Sequence, residues 1–181
     1  ITWWPWREWY YTINVCNFAI SRCGEDNSQL SNKMKRIKGQ VLFLRGLSYY
    51  NLVGYYQNPP LITDYATYSS LDGLYTTNST YDNVLDQVEK DFHEAMELLP
   101  SRDEGGEWAG GRATCGAAAG YYARALMMRQ KYSDALTVLK DIIGKKYGTY
   151  RLMSNYGDNF REGSAYENNA ESLFEVQYLD Y

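Results

Sequence analysis

The chain has 181 residues, 45% of them hydrophobic, and a formal net charge of −4. This length and apolar content suffice to bury one core, so a single domain is predicted. The acidic balance and the lack of a Lys/Arg stripe argue against nucleic acid as a partner. No apolar run is long enough to cross a bilayer. With one histidine, three cysteines and no CxxC or HExxH motif, we expect no metal site, no Cys/His catalytic site and no cofactor.

Helical periodicity accounts for most of the chain. We predict five helices, near residues 7–23, 30–57, 80–99, 112–130 and 133–143. The first has an apolar stripe spaced by four and three residues, with a polar face opposite it that carries Asn14, Asn17 and Ser21. The second is apolar almost all round after Val41, which is typical of a central helix. Its glycines are expected to permit close crossing of neighbours; they are Gly39, Gly46 and Gly54.

Charged side chains in the second and third helices are expected to face water. The run Lys33, Lys35, Arg36 and Lys38 is interpreted as the solvated start of the second helix. The third helix has a clear apolar stripe, Thr80 can cap its start, and Asp91 and Glu94 lie away from the stripe. His93 on the same helix is predicted to be an ordinary surface histidine.

Small residues dominate the fourth helix. Between Gly116 and Ala125 most positions are Gly or Ala, and Ala135 supplies a small residue on the fifth helix. A second helix can therefore approach closely, and we expect Ala119 and Ala123 to face one. This arrangement is the tetratricopeptide pattern, in which neighbouring helices must cover each hairpin. The predicted fold is mainly α, with tetratricopeptide-like antiparallel helix pairs, long loops and little β structure.

One strand is predicted, from Glu171 to Tyr178, because Phe174, Val176 and Tyr178 alternate with polar residues. Such a strand lacks a partner in this sequence. Because the chain also opens at Ile1 without a methionine, we expect it to be a segment of a larger protein.

Aromatic residues exceed what a helical core needs, with 19 Tyr and 5 Trp. Rings at a surface can stack on the C–H face of a sugar while nearby amides and arginines bind its hydroxyls. The candidate ligand-binding residues are Trp3, Trp4 and Trp6, stiffened by Pro5, with Asn14 nearby. The alternative is that these rings seal the helix bundle, which is the better interpretation for Trp9.

Two further candidates lie in loops. Trp108 has glycines at positions 106, 110 and 111, and this context predicts that the ring stays out of the deep core. Tyr75 is a weaker candidate for ligand binding, because ordinary loop packing would also explain it.

The order of segments resembles the SusD/RagB family of Bacteroidetes outer-membrane proteins. The resemblance rests on WREWYYTINVCNFAI, IKGQVLFLRGLSYYNLVGYYQNPPLI, TYDNVLDQVEKDFHEAMELLP, GRATCGAAAGYYARALMMRQKYSDAL and NNAESLFEVQY, in that order. It covers essentially the whole chain, and the combination is more specific than any single helix.

The resemblance implies a function and a location. It implies a surface-exposed outer-membrane lipoprotein, held by a lipid anchor upstream, that captures a glycan or other nutrient for a SusC-like TonB-dependent transporter. It also implies that residues 1–181 are one segment of a single SusD-like helical domain, with an N-terminal segment and the C-terminal half missing.

Two departures from the family pattern leave the ligand open. The family usually has Gly and Asp before the proline that follows the second helix, whereas this chain has Gln57 and Asn58. The loop 63–79 lacks the basic residue commonly found there.

Two other classes of protein are weighed against capture. A helical glycosidase needs two carboxylates across the scissile bond, and the only pair worth testing is Glu104 and Glu107 beside Trp108. A tetratricopeptide adaptor would need more regular helices than these. We expect no catalysis.

Overall fold

The structure, a computed structural model, describes residues 3–24, 26–68, 70, 75–108, 110–163 and 165–177, with the side chain of Tyr68 left aside. Within these ranges the α-helices are α1 (Trp3–Cys23), α2 (Asn32–Tyr56), α3 (Tyr65–Tyr68), α4 (Tyr81–Leu98), α5 (Cys115–Met128) and α6 (Tyr132–Ile143). Short 3-10 turns lie at Asn27–Gln29, Arg102–Glu104, Gly106–Trp108 and Tyr156–Phe160. The five predicted helices are all present, and the mainly α fold is confirmed.

The long helices stack in chain order as antiparallel neighbours. At the α2–α4 contact, a Cβ on Gly39 would lie 2.8 Å from the Leu99 side chain and one on Gly46 would lie 3.1 Å from Phe92. The numbers rise along α2 as they fall along α4, so the two helices are antiparallel. The expectation of close crossing is therefore correct for Gly39 and Gly46. It is wrong for Gly54, which has no atom within 4 Å of an added Cβ.

Side-chain caps fix where the helices begin. The Oγ atoms of Ser31, Thr80 and Thr114 accept backbone N–H bonds from Met34, Asn83 and Ala117, at the starts of α2, α4 and α5. The helix α1 begins at Trp3, four residues before the predicted start. Pro5 is tolerated there because N–H groups in the first turn have no intrahelical partner.

The α5–α6 hairpin is closely packed, as its small residues predict. Ala119 and Ala123 are buried in a cluster with Leu126, Ala135, Val138 and Ile142. The turn is short, and the Lys131 N–H donates to the Leu126 carbonyl at 2.9 Å. The prediction that both alanines face another helix is confirmed.

Several polar side chains expected in water are buried instead. Asp91 is fully buried, and both of its carboxylate oxygens accept bonds from the Arg45 guanidinium, at 2.6 and 2.8 Å. Arg45 also donates to Asn17 Oδ1 at 2.9 Å, so Asn17 faces the core and not the polar side of α1. Lys38 is buried as well and pairs with Glu94 at 3.1 Å. Helical periodicity misplaces these groups because each one's partner comes from a distant part of the chain.

The predicted strand is absent from the described residues 171–177, and Tyr178 lies outside the described ranges. Leu173 packs over Gly120 and Phe174 packs edge-on against Phe43, with ring centroids 4.9 Å apart. The alternating pattern therefore reflects rings and aliphatic groups that close the side of α5. A strand needs a neighbouring strand edge to pair with its backbone N–H and C=O groups. In this segment side chains bind such groups instead. No helix among the described residues is both long and apolar enough to cross a membrane.

Candidate functional site

The start of α1 lies beside the end of α2, and aromatic rings concentrate there. Trp6 meets Tyr56 edge-on with centroids 4.7 Å apart, and Tyr10 meets Tyr49 at 6.5 Å. We call the group Trp3, Trp4, Trp6, Trp9, Tyr55 and Tyr56 the aromatic end. Helix packing alone produces this grouping, because an antiparallel pair brings the first turns of one helix to the last turns of the other.

Two tryptophans of the aromatic end face outward. Trp3 is 65% exposed and Trp4 is 62% exposed. The Arg7 guanidinium carbon lies 5.6 Å from the Trp3 centroid and 5.4 Å from the Trp4 centroid. A flat apolar surface therefore stands next to a cationic hydrogen-bond donor, which is what a sugar ring with equatorial hydroxyls requires.

Trp6 packs inward, unlike Trp3 and Trp4. It is half-buried, and its centroid lies 4.9 Å from that of Tyr10, whose hydroxyl donates to the Pro60 carbonyl at 2.6 Å. Burial raises the pKa of Tyr10, so this hydroxyl stays protonated and keeps donating. Of the three predicted tryptophans, Trp6 is thus the one that packs against the core.

Tyr55 is a site residue that the sequence did not single out. Its ring stacks on Trp9 at 5.5 Å with an interplanar angle of 27°, and the residue is largely exposed. The available signal was the pair Tyr55–Tyr56 in the last turn of α2, opposite the tryptophans once the helices are antiparallel. Trp9, expected to be a core ring, is half-buried and forms the underside of this stack.

The loop after α2 is anchored beside Tyr10. The Tyr49 hydroxyl accepts from the Ile62 N–H and donates to the Ile62 carbonyl, each at 2.8 Å. At the other end, Ser79 Oγ accepts from the Leu61 N–H at 3.1 Å, which closes the base of the loop. Tyr75 is 83% exposed within it. Hydrogen bonds therefore hold the loop base next to Tyr10, and Tyr75 faces solvent further along the same loop.

Asn14 is half-buried two turns further along α1 than Trp6. Its Oδ1 is enclosed, with no hydrogen-bond partner among the described residues. An axial rise of about 1.5 Å per residue places it roughly 15 Å from Trp4, so one sugar ring cannot contact both side chains.

Trp108 belongs to a different part of the molecule. Two guanidinium groups lie over its ring, with Arg36 at 5.5 Å and Arg112 at 5.6 Å from the centroid. Arg36 lies near the start of α2 and Tyr56 at its end, so a helix rise places Trp108 about 30 Å from the aromatic end. Trp108 is only 6% exposed and is part of the core. The interpretation that its glycines keep it out of the core is wrong, because residues distant in sequence cover it.

The two carboxylates beside Trp108 are both committed to ion pairs. Glu104 lies 2.7 Å from the Arg36 guanidinium, and Glu107 lies 2.9 Å from that of Arg112. Each carboxylate is therefore paired with its own arginine.

Comparison with known proteins identifies the class. Residues 2–127 match the SusD-like family model described as starch-binding and associating with the outer membrane. The chain belongs to this SusD-like family.

Individual relatives support the same family and show how much of a relative's length this chain covers. SusD-like protein P25 from Formosa agariphila is 24% identical over 177 residues, which are 96% of this chain and 31% of that protein. A crystal structure of a SusD-like carbohydrate-binding protein from Bacteroides fragilis matches with a TM-score of 0.83 at 26% identity, over 97% of this chain and 33% of that one. A laminarin-binding SusD-like protein matches with a TM-score of 0.70 at 25% identity, over 86% of this chain and 33% of that one. The chain thus spans about a third of the length of these relatives.

Proposed function

We propose that the protein captures a glycan at the cell surface, without catalysis, and delivers it to a TonB-dependent outer-membrane transporter. The observation that carries the proposal is the pair of exposed indoles, Trp3 and Trp4, flanked by Arg7 in the first turns of the helix that also carries the Trp9–Tyr55 stack. The carbohydrate binding named for the structural relatives points to the same ligand class. A lipid anchor upstream of Ile1 and a SusC-like transporter partner complete the proposal.

A glycan array on the full-length protein identifies the ligand, and calorimetry with that ligand then tests the site. Replacing Trp3 or Trp4 by Ala removes an exposed ring beside Arg7, and replacing Tyr55 by Ala removes an exposed ring together with its stack on Trp9. For the ring that matters most, the binding free energy should weaken by roughly 1 to 3 kcal/mol, and the two Trp variants should keep the melting temperature of the parent.

The matched control is Tyr132→Ala, which removes an equally exposed aromatic ring from the start of α6, away from the aromatic end. This variant should bind like the parent protein. If all three aromatic-end variants also keep full affinity, the ligand binds elsewhere and the site assignment is lost.

The proposal that capture is non-catalytic has its own test. Glu104 and Glu107 are each held by an arginine, which leaves no acid and base facing one scissile bond. Purified protein should therefore leave the captured oligosaccharide intact. Release of reducing ends that disappears in Glu104→Gln or Glu107→Gln would establish a glycosidase instead.

A further inference from the structure

The outer face of α1 carries aromatic rings in a regular row. Trp4, Tyr11 and Phe18 follow one another at intervals of seven residues, and they are 62%, 64% and 43% exposed. Seven residues are close to two helical turns, so each step turns the row by only about 20°. The rise per step is about 10.5 Å. We call these three residues the ring row.

The two intervals of the ring row differ. Arg7 and Glu8 lie between Trp4 and Tyr11, whereas Val15, an apolar residue that is 48% exposed, and the half-buried Asn14 lie between Tyr11 and Phe18. A protein helix packing along the whole row would need apolar residues in both intervals to complete its seam. In the first interval it would instead cover Arg7 and Glu8, which form only a loose pair at 3.9 Å and would lose water without a good partner.

A linear glycan has the matching pattern. In an extended β-1,4-linked chain, alternate sugars turn the same face to one side, and the disaccharide repeat is about as long as one step of the row. Each ring would therefore stack on the same face of every second sugar. Between Trp4 and Tyr11, Arg7 and Glu8 would lie beside the hydroxyls of the intervening sugar, where arginine donates and carboxylate accepts.

The ends of the row have neighbours that suit this use. Phe18 is held edge-on by Tyr65 with centroids 5.0 Å apart, and the Arg22 guanidinium carbon lies 5.2 Å from the Phe18 centroid. Arg7 stands in the same relation to Trp4. Each terminal ring thus has an arginine beside it that can donate to a sugar hydroxyl, as the first two tryptophans do at the aromatic end.

We infer that α1 is an extended binding platform for a straight, β-1,4-linked glycan, running from Trp4 through Tyr11 to Phe18. This inference rests on the proposed function, since it names the kind of glycan captured and lengthens the site from the aromatic end along α1. Curved chains, such as β-1,3-linked or α-1,4-linked glucans, cannot keep one face against three rings in a straight row.

The test is a length series measured by calorimetry on the full-length protein, using cellobiose, cellotetraose and cellohexaose, with chitohexaose and mannohexaose in parallel. Affinity for at least one straight series should rise up to the hexasaccharide. Tyr11→Ala and Phe18→Ala should each weaken hexasaccharide binding by roughly 2- to 10-fold, which is the size of one aromatic contact. Both should leave disaccharide binding unchanged. Tyr11→Ala should also keep the melting temperature of the parent, whereas Phe18→Ala loses its contact with Tyr65 and is measured at a temperature where the variant is fully folded. Tyr132→Ala is again the control and should bind all lengths like the parent.

Two outcomes overturn the inference. The first is that none of the three straight hexasaccharides binds, or that the hexasaccharide binds no tighter than the disaccharide. The second is that laminarihexaose or maltohexaose binds and loses affinity in Trp3→Ala or Tyr55→Ala but not in Tyr11→Ala. The second outcome would leave the proposed function standing and remove only the platform, so the two failures are distinguishable.

Discussion

Both tryptophan-rich regions of this molecule place arginine beside indole, yet they have opposite relations to solvent. At the aromatic end, Arg7 lies over Trp3 and Trp4 and all three side chains face outward. At the start of α2, Arg36 and Arg112 also lie over an indole, that of Trp108, but this ring is buried. The same pair of residue types is therefore exposed in one region and part of the buried core in the other. The difference is the number of elements, distant in sequence, that pack on the indole.

The largest loss of stability is expected at Trp108, where the packing of distant elements buries the ring. Trp108→Ala should lower the free energy of unfolding by about 3 to 5 kcal/mol, because it empties a buried site at the edge of the core. Chemical denaturation monitored by circular dichroism measures the change. A loss below about 0.5 kcal/mol would mean that Trp108 is free of the core and would return it to the candidate ligand-binding residues.

The α5–α6 hairpin is a second buried region, and it packs through small residues instead of rings. Ala123→Leu forces extra methylenes between the two helices and should cost about 1 to 3 kcal/mol of stability. Thermal unfolding is a sufficient readout. Lys140→Leu is the matched control, since it adds the same side chain to an exposed position of α6 and should leave the melting temperature close to that of the parent. Equal melting temperatures for both variants would argue against close approach at Ala123.

How much of this the sequence could predict depends on the range of the contacts. The helices, the Thr80 cap and the small-residue hairpin follow from local pattern, since the determining residues lie within one or two turns of each other. The burial of Asp91 depends on Arg45, 46 residues away, and that of Trp108 on Arg36 in another helix. Neither contact can be detected in the local hydrophobic periodicity of the sequence.

The candidate site shows the same division. Trp3 and Trp4 are candidates from the sequence alone because three tryptophans in four positions are conspicuous in any sequence. Tyr55 is not, since its stacking arises only when antiparallel packing brings it over Trp9. The strand prediction at residues 171–177 is wrong for a related reason. Alternation of apolar and polar residues shows that one side of a segment is buried, and here helices bury that side.

A smaller effect is expected from the arginines that cover Trp108. Arg112→Ala removes one face-on contact with the indole and a half-exposed ion pair with Glu107. Contacts of these kinds contribute about 1 kcal/mol or less each, and salt weakens the ion pair. Urea denaturation at low and high salt measures both parts. If Arg112→Ala were as damaging as Trp108→Ala, the guanidinium would be part of the core and not its cover.

The smallest effect on stability is expected at the exposed indoles. Trp4→Ala should change the free energy of unfolding by no more than about 0.5 kcal/mol, because a ring that is 62% exposed leaves little cavity when removed. Trp6→Ala is the matched contrast two residues away, and it should cost at least about 1 kcal/mol because Trp6 packs against Tyr10 and Tyr56. Equal, large losses for both would make Trp4 a structural residue like Trp108, and the comparison between the two regions would fail. A stable Trp4→Ala variant would show instead that this indole does not stabilise the fold, as the proposed binding site requires.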